Sequence, residues 1–277
     1  MPVSAKVSAD VLQVANRAPS TAHTATATPA TRRISRFLQL AAVFWCIAIS
    51  HPAGLKAQFT SEPQALTYEE YDQYLSVLSQ SDPSGVIAAG ESFEKAFPSS
   101  ALLPTVYRME LDAWKAMGDA RQAIFVGKKA LQLVPENVDV MSELAYLIAD
   151  TESNPASLKE AKNYGTGTIE FLDKLQIPRS IPPKEWKPLR GAIESRAHSA
   201  LGLVAFKSGL LQESITEFEL ALLPGAVDEA ATSYRLGIAY RLSGLQEKAR
   251  SALMRAASSD DLEIRRRAEQ ELGKLPR

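Results

Sequence analysis

One helical hairpin pattern occurs twice in succession between residues 195 and 257, and its spacing leaves few folds open. The first copy carries Leu201-Gly202, Gly209, Phe218 and Ala221; the second carries Leu236-Gly237, Tyr240, Gly244, Ala249 and Ala256. The turn glycines lie 35 residues apart (244 minus 209), as do the two Leu-Gly pairs (236 minus 201). That is the period of a two-helix unit which stacks on copies of itself. The glycine of each Leu-Gly pair marks a close helix crossing, because a Cβ there would hold the two axes apart. Gly209 and Gly244 stand where the first helix stops, and glycine takes the left-handed terminating conformation without steric cost. On the second helix Ser214, Phe218 and Ala221 recur at helical spacing, as do Ala249, Leu253 and Ala256. A single hairpin cannot cover such a face, so the units must stack.

These positions resemble the tetratricopeptide repeat family, whose pattern runs W-x2-L-G-x2-Y, then A-x3-F, then P. Leu236, Gly237, Tyr240 and Ala249 follow it, with Ser233 at the aromatic position and Leu253 in place of Phe. Leu201, Gly202, Phe218 and Ala221 follow it as well, with His198 at the aromatic position. The resemblance implies an all-α solenoid of stacked helix-turn-helix repeats over residues 65–277. A further copy spans 104–137 through Tyr107, Leu111, Trp114, Gly118-Asp119, Ala123, Ala130 and Pro135, with Gly127 where the family usually has an aromatic. Residues 138–172 fit another through Met141, Leu144, Ala145 and Ile148, then Ala161, Gly165 and Thr168. Its turn is lengthened between Asp150 and Ser157, and Asn154-Pro155 marks the fresh helix start.

Ahead of these copies, Thr67 with Glu70 forms a capping box and predicts a helix whose buried face is Tyr68, Tyr71, Leu75 and Leu78. Asp82-Pro83 starts its partner, which Pro98 ends. Between 177 and 190 the period fails. Ile177-Pro178, Ile181-Pro182-Pro183 and Lys187-Pro188 are expected outside helices, since proline lacks a donor and clashes with the preceding turn. Trp186 is expected to pack this segment onto the neighbouring helices. A capping helix with a polar outer face is expected over about 261–274, carrying Arg265, Arg266 and Arg267.

Residues 1–31 are rich in Ala, Thr, Ser and Pro, and a composition of this kind cannot offset its ordering entropy. Arg32, Arg33 and Arg36 then precede an apolar run from Phe37 to Ile49. A basic flank, a short apolar run and small residues up to Ala57 make the order of a secretory signal. Residues 1–57 are thus expected to be a disordered tail plus either a cleaved signal or a retained inner-membrane anchor spanning 37–55. Either outcome exports the chain to the periplasm or cell envelope of a bacterium, and the membrane is met only through this segment.

Chemistry is hard to find. The net charge of −1 gives no global case for nucleic acid, and six of the cations fall within residues 1–61 against one acid, Asp10. The single cysteine, Cys46, lies in the apolar run. His23, His51 and His198 share no helix face, so no metal pair is expected. Gly165-Thr166-Gly167 lacks the third glycine and the strand context of a phosphate loop. The reading is a protein without catalytic residues, metal or cofactor. In the family it resembles, first helices of successive repeats line a concave groove that takes protein or peptide segments. Carried over, the groove positions include Arg108, Lys115, Tyr146, Arg196, Phe206, Lys207, Tyr234 and Arg241, with Arg196, Lys207 and Arg241 expected to gather near Phe206 and Tyr234. The expected role is a non-catalytic interaction scaffold; the alternative is a structural subunit of a membrane-associated assembly whose repeats stack end to end.

Overall fold

The computed structural model describes residues 64–177, 181–224 and 226–276. The tail, the apolar run and the expected signal or anchor at 37–55 lie outside the described residues. Among the described residues there are eleven helices and no strand. In chain order they are α1 (Tyr68–Leu78), α2 (Pro83–Ala96), α3 (Leu103–Ala116), α4 (Ala120–Leu133), α5 (Val138–Thr151) and α6 (Pro155–Lys174). They continue as α7 (Pro183–Lys207), α8 (Leu211–Ala221), α9 (Glu229–Leu242), α10 (Gln246–Ala257) and α11 (Leu262–Leu272). Ten of them pair as antiparallel hairpins that stack in sequence order, and α11 packs against α9 and α10 at the end. The architecture is an all-α solenoid. None of these helices is long and apolar enough to cross a membrane.

Helix starts follow from side chains that accept the first free N–H groups. Thr67, Asp82, Asp119, Asn137, Asn154 and Asp261 each cap in this way. Three turns rest on glycine in the left-handed region: Gly118 at φ 78°, Gly209 at φ 76° and Gly244 at φ 78°. A Cβ at any of these would meet no atom within 4 Å, so a substitution there is opposed by the backbone alone. Gly209→Ala and Gly244→Ala are each expected to cost about 1–2 kcal/mol, read as a lowered thermal midpoint. A midpoint unchanged in both would mean that the turns relax into another conformation.

The hairpins interlock through pairs of one small and one large residue. A Cβ on Gly202 would sit 2.5 Å from Phe218 Cδ1, and one on Gly237 would sit 2.6 Å from Leu253 Cγ. In these two hairpins the first helix supplies the gap and the second supplies the bulk. The α3–α4 hairpin reverses the arrangement: Gly127 on α4 faces Leu111 of its own hairpin at 2.8 Å and Leu144 of the next at 2.7 Å. Gly165 on α6 likewise lies under Leu201 of α7, at 3.0 Å. Gly127 at the aromatic position therefore keeps the interlock and swaps which helix fills it.

Two expectations are corrected. On α1, Tyr68 is 86% exposed, Tyr71 46% and Leu75 38%, while Glu70 and Val77 are buried. The helix is rotated by Glu70, whose carboxylate accepts from Leu66 N and from the Ser100 hydroxyl, both at 2.5 Å. Tyr74, on the Glu70 side, then meets Phe93 edge-on at 6.3 Å between ring centroids. The second correction concerns the prolines. Helix α7 starts at Pro183, so it takes in much of the expected interruption at 177–190, and Pro188 lies inside it. Pro183 opens the helix at no donor cost. Pro188 forfeits one bond on an exposed side, and the burial of Trp186 with Val138, Leu172 and Ile193 offsets this. Arg190 ties the extension down further, its Nη1 donating to the Leu172 carbonyl at 2.8 Å, where α6 runs out of partners. Trp186 does pack onto the neighbouring helices, but from within a helix.

Candidate functional site

The first helices of successive hairpins, α3, α5, α7 and α9, share one face, and their charged side chains meet there. Arg108 of α3 reaches Asp112 on its own helix and Asp139 on α5, each at 2.5 Å. Lys115, two turns along from Arg108, holds Glu143 of α5 at 2.6 Å. From the other side Arg196 of α7 meets Asp139 and Glu143, each at 3.0 Å, and also donates to the Ser142 hydroxyl at 2.9 Å. Three cations thus face three carboxylates and the cluster is neutral. Its centre is dry, with the Glu143 side chain 2% exposed and that of Arg196 11%, while Asp112, Asp139 and Lys115 at its edge are partly exposed.

A second cluster follows along the same face. Arg235 of α9 donates to the Tyr146 hydroxyl at 2.8 Å and to Asp150 at 2.7 Å, both on α5. Lys207, at the end of α7, caps the end of α5 through the carbonyls of Asp150 at 2.8 Å and Glu152 at 2.7 Å. A side chain of α9 that reaches α5 past α7 requires this face to curve inward. The second helices form the other face. Pairs such as Lys128–Glu160 at 2.7 Å and Lys162–Glu213 at 3.3 Å bridge only adjacent second helices there. These pairs are half exposed and contribute little each.

Burial pushes the Asp139 carboxyl up, but the Arg108 and Arg196 guanidiniums outweigh it and hold it below the ordinary carboxylate range. Glu143 is likewise raised by burial and brought below its ordinary value by Arg196, Lys115 and Arg108. Both are ionised near neutrality and neither is free to act as a base, since every oxygen faces a cation. Glu110 behaves differently. Burial, with Glu94 and Glu91 nearby, pushes it up to about 7 against the opposing Lys129. It is 2% exposed. A cleft of about 340 Å³ between α8, α9 and α10 has Leu222, Leu236, Tyr240 and Ala252 as its floor, with Lys248 and Arg255 at its rim. The Tyr240 hydroxyl there donates to Glu219. Among the described residues no group of three His, Cys, Asp or Glu is placed to hold a metal.

The residues expected in the groove separate into groups. Arg108, Lys115 and Arg196 belong to the neutral cluster on Asp139 and Glu143. Tyr146 and Lys207 belong to the second cluster. Arg241 stands apart, facing Glu271 of α11 at 3.0 Å. Phe206 and Tyr234 are half-buried against the core. The structure therefore does not bring Arg196, Lys207 and Arg241 together. Sequence reasoning missed Glu143, Asp150 and Arg235, the groups that neutralise or complete these clusters. One signal was available for the first: Asp139 and Glu143 are four apart, so both carboxylates face the same way on a helix whose neighbours carry cations.

No family model and no curated relative matches the sequence. Among solved structures, the chain is similar to the MamA RS-1 ArsTM double mutant, with a TM-score of 0.50 and 14% identity over 73% of this chain and 97% of that one. The thermophilic TPR protein TTC0263 of Thermus thermophilus gives a TM-score of 0.48 and 16% identity over 73% of this chain and 98% of that one. The fold is tetratricopeptide-like. In this tetratricopeptide-like stack the inward face is built from the first helices, and its polar groups are largely used up on one another.

Proposed function

We propose that this chain is a non-catalytic scaffold that binds a protein or peptide segment along the inward face of its repeats, working in the bacterial cell envelope. The observation that supports the reading is the Arg235 bridge from α9 to Tyr146 and Asp150 of α5, with the half-buried Tyr146, Phe206 and Tyr234 beside it. The basic flank and apolar run at residues 32–49 support the location. Because the cations of this face already hold carboxylates or, for Lys207, backbone carbonyls, the partner is recognised by half-buried aromatic side chains more than by charge. Capture is accordingly expected to weaken little from low to high salt. A photoreactive benzoylphenylalanine at Tyr234 is expected to crosslink a partner in cells, whereas one at the outward Phe125 is not. Crosslinking from Phe125 alone would reject the groove.

The second reading, a self-stacking structural subunit, has one observation in its favour. Among the described residues, Leu66, Tyr68, Tyr71 and Leu75 form an exposed apolar stripe on and beside α1. Light scattering separates the two, since a mass independent of concentration counts against self-assembly.

A further inference from the structure

The three glycines that lie under the next hairpin reveal an odd member. Gly127 is covered by Leu144 and Gly165 by Leu201, each the residue that precedes the small or glycine position of the following first helix. Gly90 on α2 is covered in the same manner, but by Glu110, whose Cγ and carboxyl carbon would both stand 2.8 Å from a Cβ there. Glu110 therefore occupies the slot that Leu144 and Leu201 fill in other repeats, and Leu236 holds the matching place in α9 (236 minus 110 equals 244 minus 118). The residue is 2% exposed and its Oε1 has no hydrogen-bond partner.

The groups facing it do not relieve the charge. From α2 come Glu91 and Glu94, which repel it, and from its own helix comes Tyr107, whose hydroxyl is given to Glu94 at 2.7 Å. From α4 comes Lys129, already held by Glu94 at 2.5 Å and seated 4.4 Å from the centre of the Tyr107 ring. A carboxylate in a leucine slot with no donor is stable only as the neutral acid.

We propose that Glu110 is a proton-operated latch: protonated, it lets hairpin α1–α2 dock on α3, and its ionisation loosens that hairpin from the rest of the stack. The position of the carboxyl supports a window around neutrality, since it is raised from 4.5 to about 7 in the folded state. A raised acid binds more protons folded than unfolded, so its contribution is whole below about 4.5 and is lost as the pH rises through about 7. Glu70, in the same hairpin, is lowered chiefly by the Ser100 hydroxyl, so its contribution is lost on the acid side and does not overlap.

Hydrogen exchange of the full-length protein, corrected for the base catalysis of exchange itself, tests the latch. Between pH 5 and pH 8, opening of α1 and α2 relative to α9 and α10 is expected to rise on the order of a hundred-fold. Glu110→Gln, which keeps the shape but cannot ionise, is expected to flatten that rise. Glu110→Leu, which restores the residue type of the other repeats, is expected to do the same and serves if the glutamine variant folds poorly. A wild-type hairpin with no such rise, or a rise that survives in either variant, overturns the proposal.

Discussion

Glu143→Leu is expected to destabilise the protein by about 3–5 kcal/mol, which is the cost of leaving buried charges without their partner. Three cations, Lys115, Arg196 and Arg108, converge on this carboxylate at 2.6, 3.0 and 3.7 Å, and its side chain is 2% exposed. Removing it leaves the largely buried Arg196 and Arg108 to the partly exposed Asp139 and Asp112. Urea unfolding measures the effect as a fall in midpoint. Lys162→Ala supplies the comparison, because its pair with Glu213 is about half exposed and is expected to cost less than about 1 kcal/mol. If the two substitutions cost the same, Glu143 is not the buried centre of this ion network. The cluster also sets a pH dependence opposite in sign to that of Glu110. Asp139 and Glu143 are both held below their ordinary values, so their contribution is present above those values and is lost as the pH falls through the lowered ones. Stability is therefore expected to decline on both sides of a mildly acidic optimum.

The second large effect concerns packing. Phe218→Ala is expected to cost about 3–5 kcal/mol, since the ring is fully buried between α7 and α8. Gly202→Leu alone is expected to cost about 3 kcal/mol or more, because a Cβ there would press on the Phe218 ring at 2.5 Å. The double variant is expected to be better than the sum by about 2 kcal/mol, each change making room for the other. The protein already contains the reversed pair in Leu111 and Gly127, which shows that the crossing accepts bulk from either helix. A double-mutant cycle in urea gives the coupling directly. Strict additivity would mean that the two residues do not share one site.

Much of this architecture was legible along the chain. The turn glycines, the Leu-Gly pairs and the capping residues act within a few positions of themselves, so their meaning survives without a fold. Lining the repeats up also shows a glutamate at 110 where other copies have leucine, a signal that gains its meaning once the slot is known to be buried. The groove residues were only half legible. Placing Arg108, Lys115 and Arg196 on first helices put them on a shared face, yet whether a cation there is free depends on what stands opposite. Arg108 and Asp139 are 31 residues apart and Asp139 and Arg196 57 apart, separations that no local pattern connects.

The sequence by itself determined most of the helices, the ends set by capping side chains and turn glycines, the period and the rule that a small residue faces a large one, because those follow from local sterics and backbone hydrogen bonds. Only the tertiary structure decided which apolar stripe of α1 is covered, that α7 runs on through Pro188, and that the inward cations are spent on Asp139, Glu143 and Asp150. These depend on the rotation and axial offset of one helix against the next, and many side chains at once set such offsets. A shift of a single turn would have paired the same charges differently.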